Sequence, residues 1–263
     1  MDTTSTTLSQ DSSAVVEQHS AARTLVLHLL PGALILVFFV AVAPVVVRGF
    51  GFPPVFAIYL ATVFVLIPFE LGYLIYQARK NGTSLGSIVL YREPVPRRQF
   101  VLLVGALFVW AFIIGGIFTP VNDFVKENLF SWLPGWFVIT HGLTEGLARF
   151  STAALLITCV FGLIVNGIAA PVVEEIYFRG YLLPRISRLG AWAPLVNTVL
   201  FSLYHFFTPW LNVSRIIALL PMVYAAWWKR SIYVSMAVHV LGNITASVVT
   251  LLLILGIFGG LPG

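Results

Sequence analysis

The run "LLITCVFGLIVNGIAAPVVEEIYFRG", residues 155 to 180, decides how the chain is read. The uncharged stretch begins near Ser151 and reaches the length of a membrane-crossing helix, about 20 residues. Glu174, Glu175 and Arg179 then follow with no loop between. A charge at the bilayer centre costs about 2.5–3.5 kcal/mol on insertion scales, so such groups pair with one another or line a wet cavity. The bland reading is a helix that leaves the membrane here, its charges solvated beside Arg185 and Arg188. The other keeps them at membrane depth for chemistry. Glu175 and Arg179 are spaced i, i+4 and meet on one helix face. Glu174 points about 100° away on a regular helix and has no local partner.

The rest of the chain agrees with lipid as the solvent. Of 263 residues, 59% are hydrophobic and 10% charged, and mean hydropathy is +0.96; soluble domains carry about 25% charged residues. The expected fold class is all-α, a polytopic transmembrane helical bundle of about seven or eight spans. Long continuous apolar runs argue against a β-barrel, whose strands would alternate. The runs predict helices at 25–47, 54–78, 100–118, 151–178, 192–207, 213–228 and 231–257. Two of these, 192–207 and 213–228, are short for a span. Segment 119–150 mixes aromatics with scattered charge and reads as an interfacial helix or an eighth, partial crossing. Residues 1–22 are polar and lack a basic n-region; they are expected to form a disordered tail ahead of one membrane domain, 23–263, with the chemistry within 151–257.

Charge also suggests orientation. The net charge is +5. With the N-terminus cytoplasmic, eleven of the 15 Lys and Arg residues fall on the inner side, as the positive-inside rule prefers. In a membrane protein this surplus says more about orientation than about nucleic acid, and the expected partners are membrane lipid and a membrane-associated substrate. Cys159 is the single cysteine, so no disulfide can form within the chain.

Two further apolar runs carry polar groups suited to proton transfer. "LFSLYHFF" places His205 four residues after Phe201, and "SMAVHVLGNITA" places His239 and Asn243 at i, i+4. A lone histidine on an apolar helix is usually a packing residue. Three hydrophobic helices that each bring a proton-handling group are a different matter, because polar residues in membrane helices face the bundle interior.

The ordered set "EEIYFR" (Glu174 to Arg179), "FSLYH" (Phe201 to His205) and "HVLGN" (His239 to Asn243) resembles the CPBP intramembrane proteases. That family includes CAAX prenyl endopeptidases and bacterial membrane proteins of bacteriocin processing and immunity. The likeness covers about 171–247. It implies that Glu174 and His205 activate a water, that His239 and Asn243 stabilise the oxyanion, and that Glu175 and Arg179 support the site. The implied activity is endopeptidase cleavage of a membrane-associated protein or peptide, in a multi-pass membrane protein expected in a bacterial plasma membrane. Family members have been labelled metalloproteases, and Glu174, His205 and His239 would make a His₂Glu set suited to Zn²⁺; a metal-free mechanism uses the same residues. No His-Glu-x-x-His occurs in the chain.

Other signals weigh less. "GTSLG", residues 82–86, lacks the strand–turn–helix context of a nucleophile elbow. Glu70 reads as a snorkelling residue or a cavity lining, and His141 with Glu145 as surface groups. His19 and His28 carry no signal. The competing functions are a proton-coupled transporter and a non-catalytic immunity or scaffold protein.

Overall fold

The structure, a computed structural model, describes residues 16–138 and 149–257. Among the described residues, seven helices make up the bundle: α1 (Ala21–Arg48), α2 (Pro54–Lys80), α3 (Arg97–Leu129), α4 (Thr152–Leu189), α5 (Trp192–Tyr204), α6 (Pro209–Lys229) and α7 (Ile232–Ile254). All but α5 are long and apolar enough to cross a bilayer. Among the described residues there is no β-strand, only a single bridge between Arg92 and Ser231. The outward faces carry Val37, Phe64, Phe112, Ile164 and Trp192 in the open, which suits a surface solvated by lipid. The all-α, polytopic expectation is met, with six long helices and the short α5.

Local chemistry explains the element ends. Ser20 caps α1, its side chain accepting from the Arg23 N–H. Pro54 opens α2, where a missing N–H costs nothing. Arg230 ends α6 in the left-handed region, with φ of 48°, turning the chain sharply into α7. The short α5 is flanked by α1 and α6, while α7 runs against α3, α4 and α6.

Segment 119–150 divides differently from the expectation. Residues up to Leu129 prolong α3, with Pro120 accommodated inside the helix, so no separate interfacial helix starts at 119. His141 and Glu145 lie outside the described residues. The expected tail 1–22 is also too long. Ala21 already begins α1, and His19 is buried, its N–H donating to the Arg185 carbonyl at 2.8 Å. Gln18 reaches the Pro184 carbonyl with its side-chain amide.

These contacts draw several basic segments to one end of the bundle. Leu90 N–H donates to the Gly180 carbonyl, Ile232 N–H to Tyr91, and Glu93 pairs with Arg230 at 3.2 Å. The start of the described chain, the connection after α2, the end of α4 and the α6–α7 turn therefore lie on the same side, the grouping that the charge distribution predicts.

Candidate active site

Helix α4 is irregular where the sequence is most informative. Residues Val165–Ala169 and Glu175–Leu182 follow i→i+5 hydrogen bonding, and Leu183–Leu189 tighten to i→i+3. Such widened turns are rare and concentrate at functional sites. Pro171 supplies a local cause. The Ala170 N–H is taken by the Val165 carbonyl, and Pro171 has no N–H, so the Asn166 carbonyl is left without its usual backbone donor. Asn243 on α7 fills the vacancy, its side-chain amide donating to the Asn166 oxygen at 2.9 Å. A proline on one helix thus fixes a polar side chain on another.

Glu174, Glu175 and Arg179 are all buried, with Glu175 and Arg179 fully so. The reading of a solvated helix exit is therefore overturned. The predicted Glu175–Arg179 pair forms at 3.4 Å, and the Arg179 guanidinium lies 4.0 Å from the centre of the Phe201 ring. Glu175 does more than neutralise Arg179. Its Oε1 also accepts from Nδ1 of His239 at 3.1 Å. A carboxylate can only accept, so Nδ1 carries the proton and Nε2 is the nitrogen turned to Glu174, 3.8 Å from its Oε2.

Glu174 lacks a partner on its own helix but has one on α5: Tyr204 donates its hydroxyl to Glu174 Oε1 at 2.9 Å. His205 follows directly, at the end of α5. Its Nδ1–H donates to the Phe201 carbonyl at 2.9 Å, which leaves Nε2 with a free lone pair. The i, i+4 spacing of Phe201 and His205 thus serves the tautomer: the phenylalanine contributes its backbone carbonyl. Its ring also meets the His205 imidazole edge to face, with the centroids 5.0 Å apart.

Glu174, Tyr204, His205, His239, Asn243 and Asn166 line one cavity of about 770 Å³, walled by apolar residues of α2, α3, α6 and α7. All four expected catalytic residues reach it. They do not all touch: among the described residues Glu174 meets His239 and Tyr204, whereas His205 makes no hydrogen bond to Glu174 and Asn243 bonds to α4. Glu175 and Arg179 sit behind this wall.

The Phe-x-x-x-His pattern does not single out Tyr204; its place next to His205 is the clue that the sequence offers. Glu70 is not among the residues that line this cavity. It is fully buried in α2, with neither carboxylate oxygen bonded, so it does not snorkel to a surface. Gly32 also gains a role: a Cβ there would collide with the Tyr204 carbonyl, so α1 can approach the end of α5 only through glycine. His28 packs in the core, its Nδ1 donating to the Thr24 carbonyl and its Nε2 accepting from Asn197.

Among the described residues no three His, Cys, Asp or Glu side chains come together as a metal-holding group. Glu174, His205 and His239 share the cavity without forming such a group.

No curated protein and no solved structure matches the chain. Residues 155–245, which contain all three motifs, do match a family model, Rce1-like, described as type II CAAX prenyl endopeptidase Rce1-like, and the resemblance read from those motifs is thereby borne out.

Proposed function

We propose that this membrane protein is an intramembrane endopeptidase in which Glu174 activates a water for attack on a peptide carbonyl of a membrane-associated substrate. The observation that carries this reading is the Glu174 carboxylate itself. It is buried at the cavity wall, with Tyr204 on one oxygen and the free nitrogen of His239 3.8 Å from the other. The family match supports a CAAX-type endopeptidase at the level of the family.

Each group then has a task. Glu174 takes a proton from water as the water oxygen bonds to the carbonyl carbon. His205 orients that water through its Nε2 lone pair. The oxyanion is met by Asn243, one of whose amide hydrogens is committed to Asn166 while the other remains free. His239, whose Nδ1–H is already given to Glu175, can donate to the oxyanion from Nε2 only as the imidazolium. Collapse breaks the C–N bond, and Glu174 returns its proton to the leaving amine. Preorganised donors of this kind are worth about 2.7–4 kcal/mol each.

A transporter would also use buried carboxylates and histidines. The arrangement favours hydrolysis: the His205 Nε2 lone pair and the Asn243 amide belong to the same cavity that Glu174 lines. The test is purified protein in vesicles with a membrane-associated peptide panel. New amino-termini that depend on Glu174 support the reading, and proton-coupled flux without cleavage would replace it.

A further inference from the structure

Building on the endopeptidase reading, we propose that Arg215 determines specificity by receiving a carboxylate of the substrate close to the scissile bond. Arg215 lines the same cavity as Glu174, His205 and His239. It belongs to the first turn of α6 proper, which starts at Asn212. The positive end of the helix dipole makes that an unfavourable place for a cation and a favourable one for an anion. Helix stability therefore gives no reason for an arginine there.

Its contacts are all with neutral acceptors. Nη2 donates to Thr208 Oγ1 at 2.8 Å, and Nη1 donates to Asn212 Oδ1 at 3.2 Å and to the Ser202 carbonyl at 3.3 Å. Among the described residues no carboxylate pairs with it, whereas Arg23, Arg179 and Arg230 each have a glutamate. The three bonds hold the guanidinium in place and leave donors on Nε and Nη2. Two adjacent N–H groups of one guanidinium match the two oxygens of a carboxylate.

Position defines which carboxylate this is. Ser202 and Thr208 bracket His205 in sequence, so Arg215 is tied to the segment that presents the proposed water-orienting histidine. A bound anion would thus sit within a few residues of the reacting carbonyl. A free C-terminus and an Asp or Glu side chain share this chemistry. The competing role for Arg215 is a clamp that caps the end of α5 and only positions His205.

The experiment compares three forms of one short, apolar, fluorescent peptide in vesicles: the C-terminal acid, the C-terminal amide, and the amide with one aspartate near its end. In the wild type, the acid or the aspartyl amide should show a KM lower than that of the neutral amide by about tenfold or more, the range expected of a charge-assisted bidentate contact. The form with the larger gain identifies the source of the carboxylate. Arg215→Gln should erase the KM difference, and Arg215→Lys should retain part of it. Equal KM values in the wild type overturn the proposal, as does an Arg215→Gln variant that lowers kcat alike for all forms while keeping their KM ratio, since that is the clamp. If no form is cleaved, the endopeptidase reading fails on its own. Fluorescence-anisotropy binding of the acid and the neutral amide to wild type and Arg215→Gln then decides the inference: preference for the acid, lost in the variant, sustains it, and equal binding overturns it.

Discussion

Glu175 Oε1 is shared between the Arg179 guanidinium, at 3.4 Å, and Nδ1 of His239, at 3.1 Å, so one buried carboxylate joins the family-like motif on α4 to that on α7. The adjacent glutamates consequently have separate duties. Glu174 lines the cavity, and Glu175 sets the tautomer and orientation of the histidine that faces it.

Removing that link should cost stability as well as rate. Glu175→Ala leaves Arg179 buried without an ion pair, and breaking a buried pair from one side costs about 3–5 kcal/mol. A lower midpoint of thermal unfolding in detergent is expected for Glu175→Ala. Replacement of the exposed Glu93 partner of Arg230 should leave it nearly unchanged, because surface pairs contribute about 0–1 kcal/mol. Equal effects at the two positions would contradict the buried arrangement.

Tyr204→Phe keeps the ring but deletes the hydroxyl that donates to Glu174. The loss of one hydrogen bond to a charged group, about 1.5–3 kcal/mol, should lower kcat/KM by roughly tenfold or more with little change in KM. Peptide cleavage measured across a substrate series checks both parts.

Gly32→Ala tests the positioning of His205 from a distance. The added methyl would collide with the Tyr204 carbonyl, so α1 and the end of α5 must separate. Activity should fall although residue 32 lies on α1, far in sequence from all three motifs. Wild-type kcat/KM in this variant would show that the close approach is not required.

The docking of residues 16–20 should depend on pH. Burial pushes His19 down to about 4 from its ordinary value of 6.5. The docked state therefore binds fewer protons than the undocked one, and docking weakens as pH falls through about 6.5 toward 4. The protection of the His19 amide, which bonds to the Arg185 carbonyl, should be smaller at about pH 5 than at neutral pH once hydrogen exchange is corrected for its intrinsic pH dependence. His19→Phe should remove most of that dependence.

Much of this was legible in the sequence, because lipid makes long apolar runs nearly synonymous with helices. The i, i+4 spacing gave the Glu175–Arg179 pair correctly, even though the helix there is widened. What the spacing hid was the second partner of Glu175, which comes from α7, 64 residues away. The extent of α3 was hidden by Pro120, which breaks helices in water but is tolerated among neighbouring helices in a bilayer. Tyr204 fills a position that the Phe-x-x-x-His pattern leaves open and Arg215 lies outside the motifs; their meaning is spatial. Pro171 and Asn243 were both in plain view, yet only the missing backbone donor at Asn166 shows why they belong together.

The central claim rests on Glu174 and is tested most directly by one measurement. Wild type and Glu174→Gln, purified into vesicles in H₂¹⁸O, are given the same membrane-associated peptides, and the products are weighed by mass spectrometry. The account predicts that wild type yields fragments with one ¹⁸O in each new carboxyl group. It also predicts that Glu174→Gln, folded as judged by an unchanged melting profile, is slower by about 10²–10⁴-fold, the range for a lost general base. Cleavage by Glu174→Gln at the wild-type rate would contradict it.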